Sequence, residues 1–288
     1  MKSCAFLTLD DPADFVIDDE LAVAPLADLG WRVSTLSWRQ KKVPWSEFDA
    51  VVIRSTWDYW NDVDGFLETL GRINRESRLE NPLELVQWNL SKTYLRELEA
   101  RDVGIVPTLW LHEPEATVLR ECLEQPGLDQ LVIKPQLGAN GEDAFRIDSA
   151  CPLDRLERIA GRFRDRGAMV QPFMARVLSE GEFSLFYFNG EFSHAILKKP
   201  AANEFRSQEE RGADILPVEP EELLLQRGGE AIAALTTLPL YARIDFVRNE
   251  NEDFLVMELE LIEPSMYLRT DDNAPARFAR AIDLKFSS

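Results

Sequence analysis

Residues 254–265 read FLVMELELIEPS, an apolar run interrupted by three glutamates. A strand turns successive side chains to opposite faces. Val256, Glu258, Glu260 and Ile262 therefore share one face, and Leu255, Met257, Leu259 and Leu261 the other. The second face is expected to be core. The first carries two carboxylates side by side, and such groups are costly to bury unpaired. It either looks into water or holds something positive. Upstream, YARIDFV alternates in the same way, and NENED between the two runs closes them into a hairpin that brings Asp245 near the Glu258/Glu260 face. Three carboxylates on facing strands make an oxygen cluster suited to Mg²⁺, above all Mg²⁺ already bridged by phosphates. An edge hairpin with its acidic face in water uses the same residue types. On these residues alone the two readings stay level.

The first 85 residues or so alternate strand and helix patterns: CAFLTL, DDELAVAPLADLGW with Gly30 as its stop, RVSTLSW, FDAVVI, and DVDGFLETLGRINRES. This βαβαβ rhythm predicts a small parallel sheet. Ligands of such sheets gather at the carboxyl ends of strands, where RSTWDYW falls. Arg54, Ser55, Thr56, Trp57 and Asp58 are the candidates there, Arg54 for a carboxylate and Asp58 for an amino group. Next, Asn89 is predicted to cap a helix running toward Gly104, with Lys92 in its first turn against the dipole. QLVIKPQLGANGEDAFRI is a strand, a glycine-containing turn and a strand. Lys134, closing an apolar strand, must find an anion or snorkel. Gly138–Glu142 can bring loop amides to phosphates, although Asn140-Gly141 equally suits a plain hairpin turn. No Lys-Ser/Thr follows, so this is not a P-loop. Asn189-Gly190 predicts a further hairpin. At its exit Lys198, Lys199 and Arg206 form a basic cluster suited to a transferring phosphoryl group.

The net charge of −19 argues against nucleic acid or an anionic membrane as partner. It leaves a small anion open, since local cations outweigh a global field. Two histidines restrict His-based metal sites and Ser-His-Asp chemistry. Three cysteines in no C-x-x-C pattern predict a reducing compartment and a cytoplasmic protein. The N-terminal run leads at once into acids and is predicted as a first strand, not a signal peptide. No apolar run is long enough to span a bilayer.

Helix lysine, strand lysine, glycine loop, connector with glutamate, basic hairpin exit, then Asp and Glu-x-Glu: in this order the parts resemble the ATP-grasp superfamily. The likeness is strongest to its glutathione synthetase and RimK-like branch. VVIRSTWDYW, KPQLGANGED, SEGEFSLFYFNGEFSHAILKKPA and MELELIEPS are most similar to the cyclo-ligases of D-cycloserine biosynthesis. The resemblance implies an α/β ATP-grasp fold: an N-terminal parallel domain over 1–88, a small central α+β subdomain over 89–174 and a C-terminal α+β subdomain over 175–288. It implies nucleotide contacts from Lys92, Lys134, the loop Gly138, Ala139, Asn140, Gly141 and Glu142, and the hinge Gln171, Pro172 and Phe173. Glu182, with Glu180 as rival, falls at the ribose acid. Lys198 and Arg206 fall on the transferring phosphate, and Asp245, Glu258 and Glu260 at the magnesium ligands. Glu263, Ser265 and Arg269 join the substrate side. The implied cofactors are ATP and Mg²⁺, as two ions, with Mn²⁺ a substitute. The implied activity is ligation: a carboxylate of a small amino-acid-like substrate is phosphorylated, then a C–N bond forms with release of ADP and phosphate, by cyclisation in the D-cycloserine manner. Modification of a peptide or protein terminus is the second reading, a non-catalytic nucleotide module the third. Homo-oligomerisation is left open.

Overall fold

The computed structural model describes residues 1–13, 15–138, 141–164 and 166–287. The expected loop residues Ala139 and Asn140 lie outside the described residues.

The N-terminal sheet contains β1 (Lys2–Thr8), β2 (Trp31–Ser37), β3 (Ala50–Ser55) and β4 (Leu79–Glu80), all parallel in the order β2-β1-β3-β4. It is covered on both faces, as parallel sheets must be. Cys4, Phe6 and Val52 pack toward α1 (Val23–Asp28), whereas Ala5, Leu7, Val51 and Ile53 pack toward α2 (Val63–Glu76) with Trp38 and Trp45. The chain stops α1 at Gly30, whose φ of 85° is the left-handed conformation that favours glycine.

The predicted helix after residue 88 differs. The chain forms α3 (Leu83–Asn89) and, after a break, α4 (Tyr94–Glu99). Asn89 ends a helix rather than capping one. Its amide donates to Leu259 O and accepts from Leu261 N, both at 2.9 Å. Lys92 falls in the break, outside any helix, and its N–H is held by Gln136 O at 2.7 Å. The central sheet contains β5 (Leu109–Leu111), β6 (Gln130–Pro135), β7 (Phe145–Asp148) and β8 (Ala168–Pro172), antiparallel in the order β5-β8-β6-β7. Its core lies against α5 (Ala116–Leu123) and α6 (Leu153–Arg162). The short α7 (Arg176–Ser179) leads into the last sheet.

That sheet contains β9 (Glu182–Phe188), β10 (Glu191–Lys199), β11 (Asp214–Pro217), β12 (Tyr241–Arg248) and β13 (Phe254–Glu260), in the order β11-β10-β9-β12-β13. The Asn189-Gly190 turn forms as expected, with φ of 48° and 79°. One face packs on α8 (Glu222–Ala233) through Leu185, Tyr187, Ala242, Ile244 and Phe246. On the other, Phe186, Phe188 and Tyr241 meet α9 (Ala274–Ser287), and the remainder is charged. The predicted unbroken alternation of residues 255–262 does not hold. Asp245 pairs with Glu258 but Phe246 with Val256, so Met257 is extra at a bulge. The bulge switches parity: Phe254 and Val256 are core on one side of it, Leu259 and Leu261 on the other, and Met257 turns to the charged side with Glu258 and Glu260.

His194, 4% exposed on β10, stacks on Phe186 at 4.2 Å and donates from Nε2 to Met266 O at 2.9 Å. Burial lowers its pKa from 6.5 to about 4, so the folded imidazole stays neutral where the unfolded one takes a proton. Its contribution to stability is present above about pH 6.5 and is lost as pH falls toward about 4, with a slope approaching ~1.4 kcal/mol per pH unit. Urea titrations across this window should show that slope in the native chain and a flatter one in His194→Phe. Equal slopes would rule out His194 as the cause.

Candidate active site

Three cross-strand pairs set the charged face of the last sheet. Glu182 on β9 lies opposite Lys198 on β10, Arg243 on β12 opposite Glu260 on β13, and Asp245 opposite Glu258. The first two are opposite-charge pairs and the third is two carboxylates. Like charges directly across a ladder repel unless a cation intervenes. Here Lys198 Nζ contacts Glu182 and lies 3.1 Å from Asp245 Oδ2. Arg243 bonds both Asp245 oxygens, at 3.0 Å from Nε and from Nη2, and also contacts Glu260. From across the cleft, Lys92 Nζ reaches Glu258 Oε1 at 2.8 Å and Gly138 O at 2.6 Å.

Burial and these partners shape the titration of the cluster. Asp245, 3% exposed, is penalised by burial, yet Arg243 and Lys198 hold its carboxyl below the usual range. Glu258 is held down by Lys92 and Lys134 against the same penalty. Burial lifts Glu260 to about 7, with Glu258 and Asp245 adding to the lift. Burial also lifts Glu263 to about 8, with Glu260 as the main neighbour. Burial lowers Lys134, whose ammonium makes no ion pair or hydrogen bond among the described residues.

These groups line a single cleft between the last sheet and the central one. One end is apolar, where Val106, Val177, Met174 and Met257 pack together below Gln171. The middle carries Lys92, Lys134, Gly138 and Glu142, with Lys198 and Asp245. Glu260, Glu263 and Ser265 lie toward Trp57, whose indole donates to Glu263 O at 2.7 Å and whose ring meets Phe15 at 5.0 Å. Gly141 has φ 61°, and a side chain there would lie 3.2 Å from Arg206, whose Nη1 approaches Gly141 O at 3.4 Å. Arg206 also forms an ion pair with Glu204 at 2.6 Å. At Gly181 (φ 125°) a Cβ would lie 2.8 Å from Lys198 O, so glycine lets the two strands meet at the Glu182–Lys198 pair.

Most of the candidates converge on this cleft: Lys92, Lys134, Gly138, Gly141, Glu142, Gln171, Pro172, Phe173, Glu182, Lys198, Arg206 and the three acids Asp245, Glu258 and Glu260, with Glu263 and Ser265. Others do not. Glu180 points away and is held by Arg248 at 3.0 Å, which leaves Glu182 as the acid in the cleft. Arg54 is 1% exposed, and its donors are taken by Asp19 at 2.9 Å, Ile53 O and Pro264 O, so it clamps the turn after β13 instead of facing the cleft. Asp58 is held by Trp38 Nε1 at 2.6 Å and Arg39 at 2.9 Å, outside the cleft lining. Ser55 donates to Thr8, and Thr56 is fully buried. Arg269 bridges Asp18 and Glu209 beside a smaller neighbouring pocket. Lys199 is exposed on the far face of β10. Arg243 was absent from the expected set, although its position two residues before Asp245 on one strand face marks it.

A magnesium ion is implied by the fold, and the donor set fits one: all three acids offer oxygen ligands on one face. Among the described residues no group of three acids converges as a ready-made metal site. The cations of Lys92, Lys198 and Arg243 separate the carboxylates instead. Among those residues no helix is long and apolar enough to cross a membrane.

Residues 4–81 match the family described as D-cycloserine synthetase DcsG, N-terminal domain. The cycloserine biosynthesis protein DcsG of Streptomyces lavendulae is 31% identical over 271 residues, covering 88% of this chain and 89% of that protein. A crystal structure of D-cycloserine synthetase DcsG superposes with a TM-score of 0.85 at 26% identity, over 99% of both chains. The D-alanine–D-alanine ligase of Bacillus anthracis complexed with ATP shares the fold, with a TM-score of 0.65 at 16% identity over 100% of this chain and 98% of that one. With a charged face opposite paired lysines in an ATP-grasp architecture, the chain is an ATP-dependent ligase and belongs to the DcsG family.

Proposed function

We propose that this ligase phosphorylates the carboxylate of a small amino-acid-like substrate and closes a C–N bond within the same molecule. The observation that carries this reading is the Asp245–Glu258 pair: two carboxylates face each other across a ladder inside a cleft, which is tolerable only where positive charge is gathered. The DcsG relative is named for cycloserine biosynthesis, and that chemistry is carried to this chain as part of the proposal. Phe15 and Trp57 narrow the substrate end, which favours a small substrate over a chain terminus.

In this reading Asp245, Glu258 and Glu260 would hold two Mg²⁺ ions, which would supply charge neutralisation for the transferring phosphoryl group. Lys92 and Lys134 orient the phosphates, and Glu182 the ribose. Lys198 and Arg206 stabilise the negative charge that develops as a substrate carboxylate oxygen attacks the γ-phosphorus and ADP leaves. A substrate nitrogen then attacks the acyl carbon and phosphate departs with the acyl oxygen. Catalysis rests on positioning and charge, and no histidine is required: His194 is committed to the core.

Glu260→Gln tests the metal role. Glu260 is shifted to about 7 and contacts Arg243, so glutamine replaces a carboxyl that is already partly protonated at neutral pH. Folding stability should change by only about 1 kcal/mol, while the Mg²⁺ concentration needed for half-maximal turnover rises ~10-fold or more. An unchanged Mg²⁺ dependence would remove Glu260 from the metal site.

A further inference from the structure

At the apolar end of the cleft, Thr108 fixes the direction in which the Gln171 amide faces. Thr108 Oγ1 donates to Val106 O at 2.7 Å, and Gln171 Nε2 donates to Thr108 Oγ1 at 2.8 Å. A backbone carbonyl only accepts. The hydroxyl proton is therefore committed to Val106 O, and the hydroxyl oxygen faces Gln171 as an acceptor. Only the amide NH₂ can meet it. Turning the amide over would set acceptor against acceptor, or take the donor from Val106, a residue 1% exposed. Gln171 is 4% exposed and lines the cleft, and no donor meets its Oε1 among the described residues. The relay leaves a single oriented acceptor on the cleft wall beside Val106, Val132 and Met174.

We propose that Thr108 is a positioning residue that makes this cleft select a purine with an exocyclic amino group over one with a carbonyl at the same position, ATP over GTP. The inference rests on the nucleotide reading above and adds what chooses the base. An apolar slot accepts any flat ring and discriminates little. A fixed acceptor at its edge receives a hydrogen bond from an amino group. Against a carbonyl it leaves two desolvated acceptors unpaired. Such a mismatch corresponds to a preference of roughly 5- to 150-fold. A buried glutamine by itself gives no such preference, because an amide free to rotate offers a donor as readily as an acceptor. The selectivity therefore belongs to the Val106–Thr108–Gln171 chain and not to Gln171 alone.

The test is calorimetric titration of Mg·ATP and Mg·GTP into the full chain and three variants, reading the ratio of the two affinities. The native protein should prefer ATP. Thr108→Val keeps the volume but frees the amide, and should lower the ATP-to-GTP ratio at least ~5-fold. Gln171→Glu keeps an acceptor facing the cleft and should retain the preference, whatever its charge does to both affinities. Gln171→Leu should lose it. A general loosening of the site weakens both nucleotides and leaves the ratio in place. A ratio unchanged in Thr108→Val overturns the inference. If that variant does not fold, equal ratios in Gln171→Glu and Gln171→Leu overturn it. A native protein that binds ATP with no preference over GTP overturns the inference alone, and one that binds neither overturns the nucleotide reading with it.

Discussion

Replacing Arg243 with methionine should destabilise the protein by about 3–5 kcal/mol, the cost of removing one partner from a buried ion pair. Arg243 is 8% exposed and bonds Asp245 through two nitrogens, Glu260 through a third contact and Ser265 O at 3.3 Å. Its removal leaves Asp245 with Lys198 and Ser184, and leaves Glu260 with no ion-pair partner among the described residues. Methionine fills much of the same volume, so the loss reports charge and not a cavity. Arg39→Met provides the contrast. Arg39 and Asp58 are paired at 2.9 Å, but their side chains are 30% and 25% exposed. That substitution should cost no more than about 1 kcal/mol. Urea denaturation of both variants measures the difference, and equal costs would mean that the charged face is not a desolvated network.

The second large effect separates stability from turnover. Lys134→Met should lower kcat/KM for ATP about 10²–10³-fold, the scale for removing one donor aimed at a transition-state charge. It should leave the melting temperature unchanged or raised. Lys134 ends a strand whose neighbours Ile133 and Pro135 are buried, and burial pulls its pKa down with no ion pair among the described residues to offset the cost. An ammonium held in this way is a local conflict of the kind found at functional sites. Methionine keeps the stem packing and removes the conflict. A fall in stability together with turnover would make Lys134 structural instead.

The sheet pattern was legible because its period is short-range, whereas the convergence of the lysines on the acids was legible only through the resemblance of the order of parts to ATP-grasp proteins. The Asn189-Gly190 turn, the strand of Lys134 and the approach of Asp245 to the Glu258/Glu260 face follow from local alternation and turn chemistry. The bulge at Met257 does not. A single unpaired residue is set by the partner strand, and it moves Val256 into the core while turning Met257 outward. Asn89 misled for a similar reason: its capping chemistry is used on the backbone of β13, 170 residues away. Arg54 and Asp58 stand at a strand end where ligands gather, yet Asp19, Pro264, Trp38 and Arg39 claim them. A strand-end position shows where a side chain begins, not what meets it. Arg243 was legible in principle, since a cation two residues from a buried acid shares its face.

Carboxylate activation is tested most directly by ADP release from Mg·ATP across a panel of D- and L-amino acids that includes O-ureido-D-serine, each supplied as the free acid and as its methyl ester. The account predicts ADP release that depends on a free carboxylate and is lost with the ester. ADP released equally from acid and ester would contradict it.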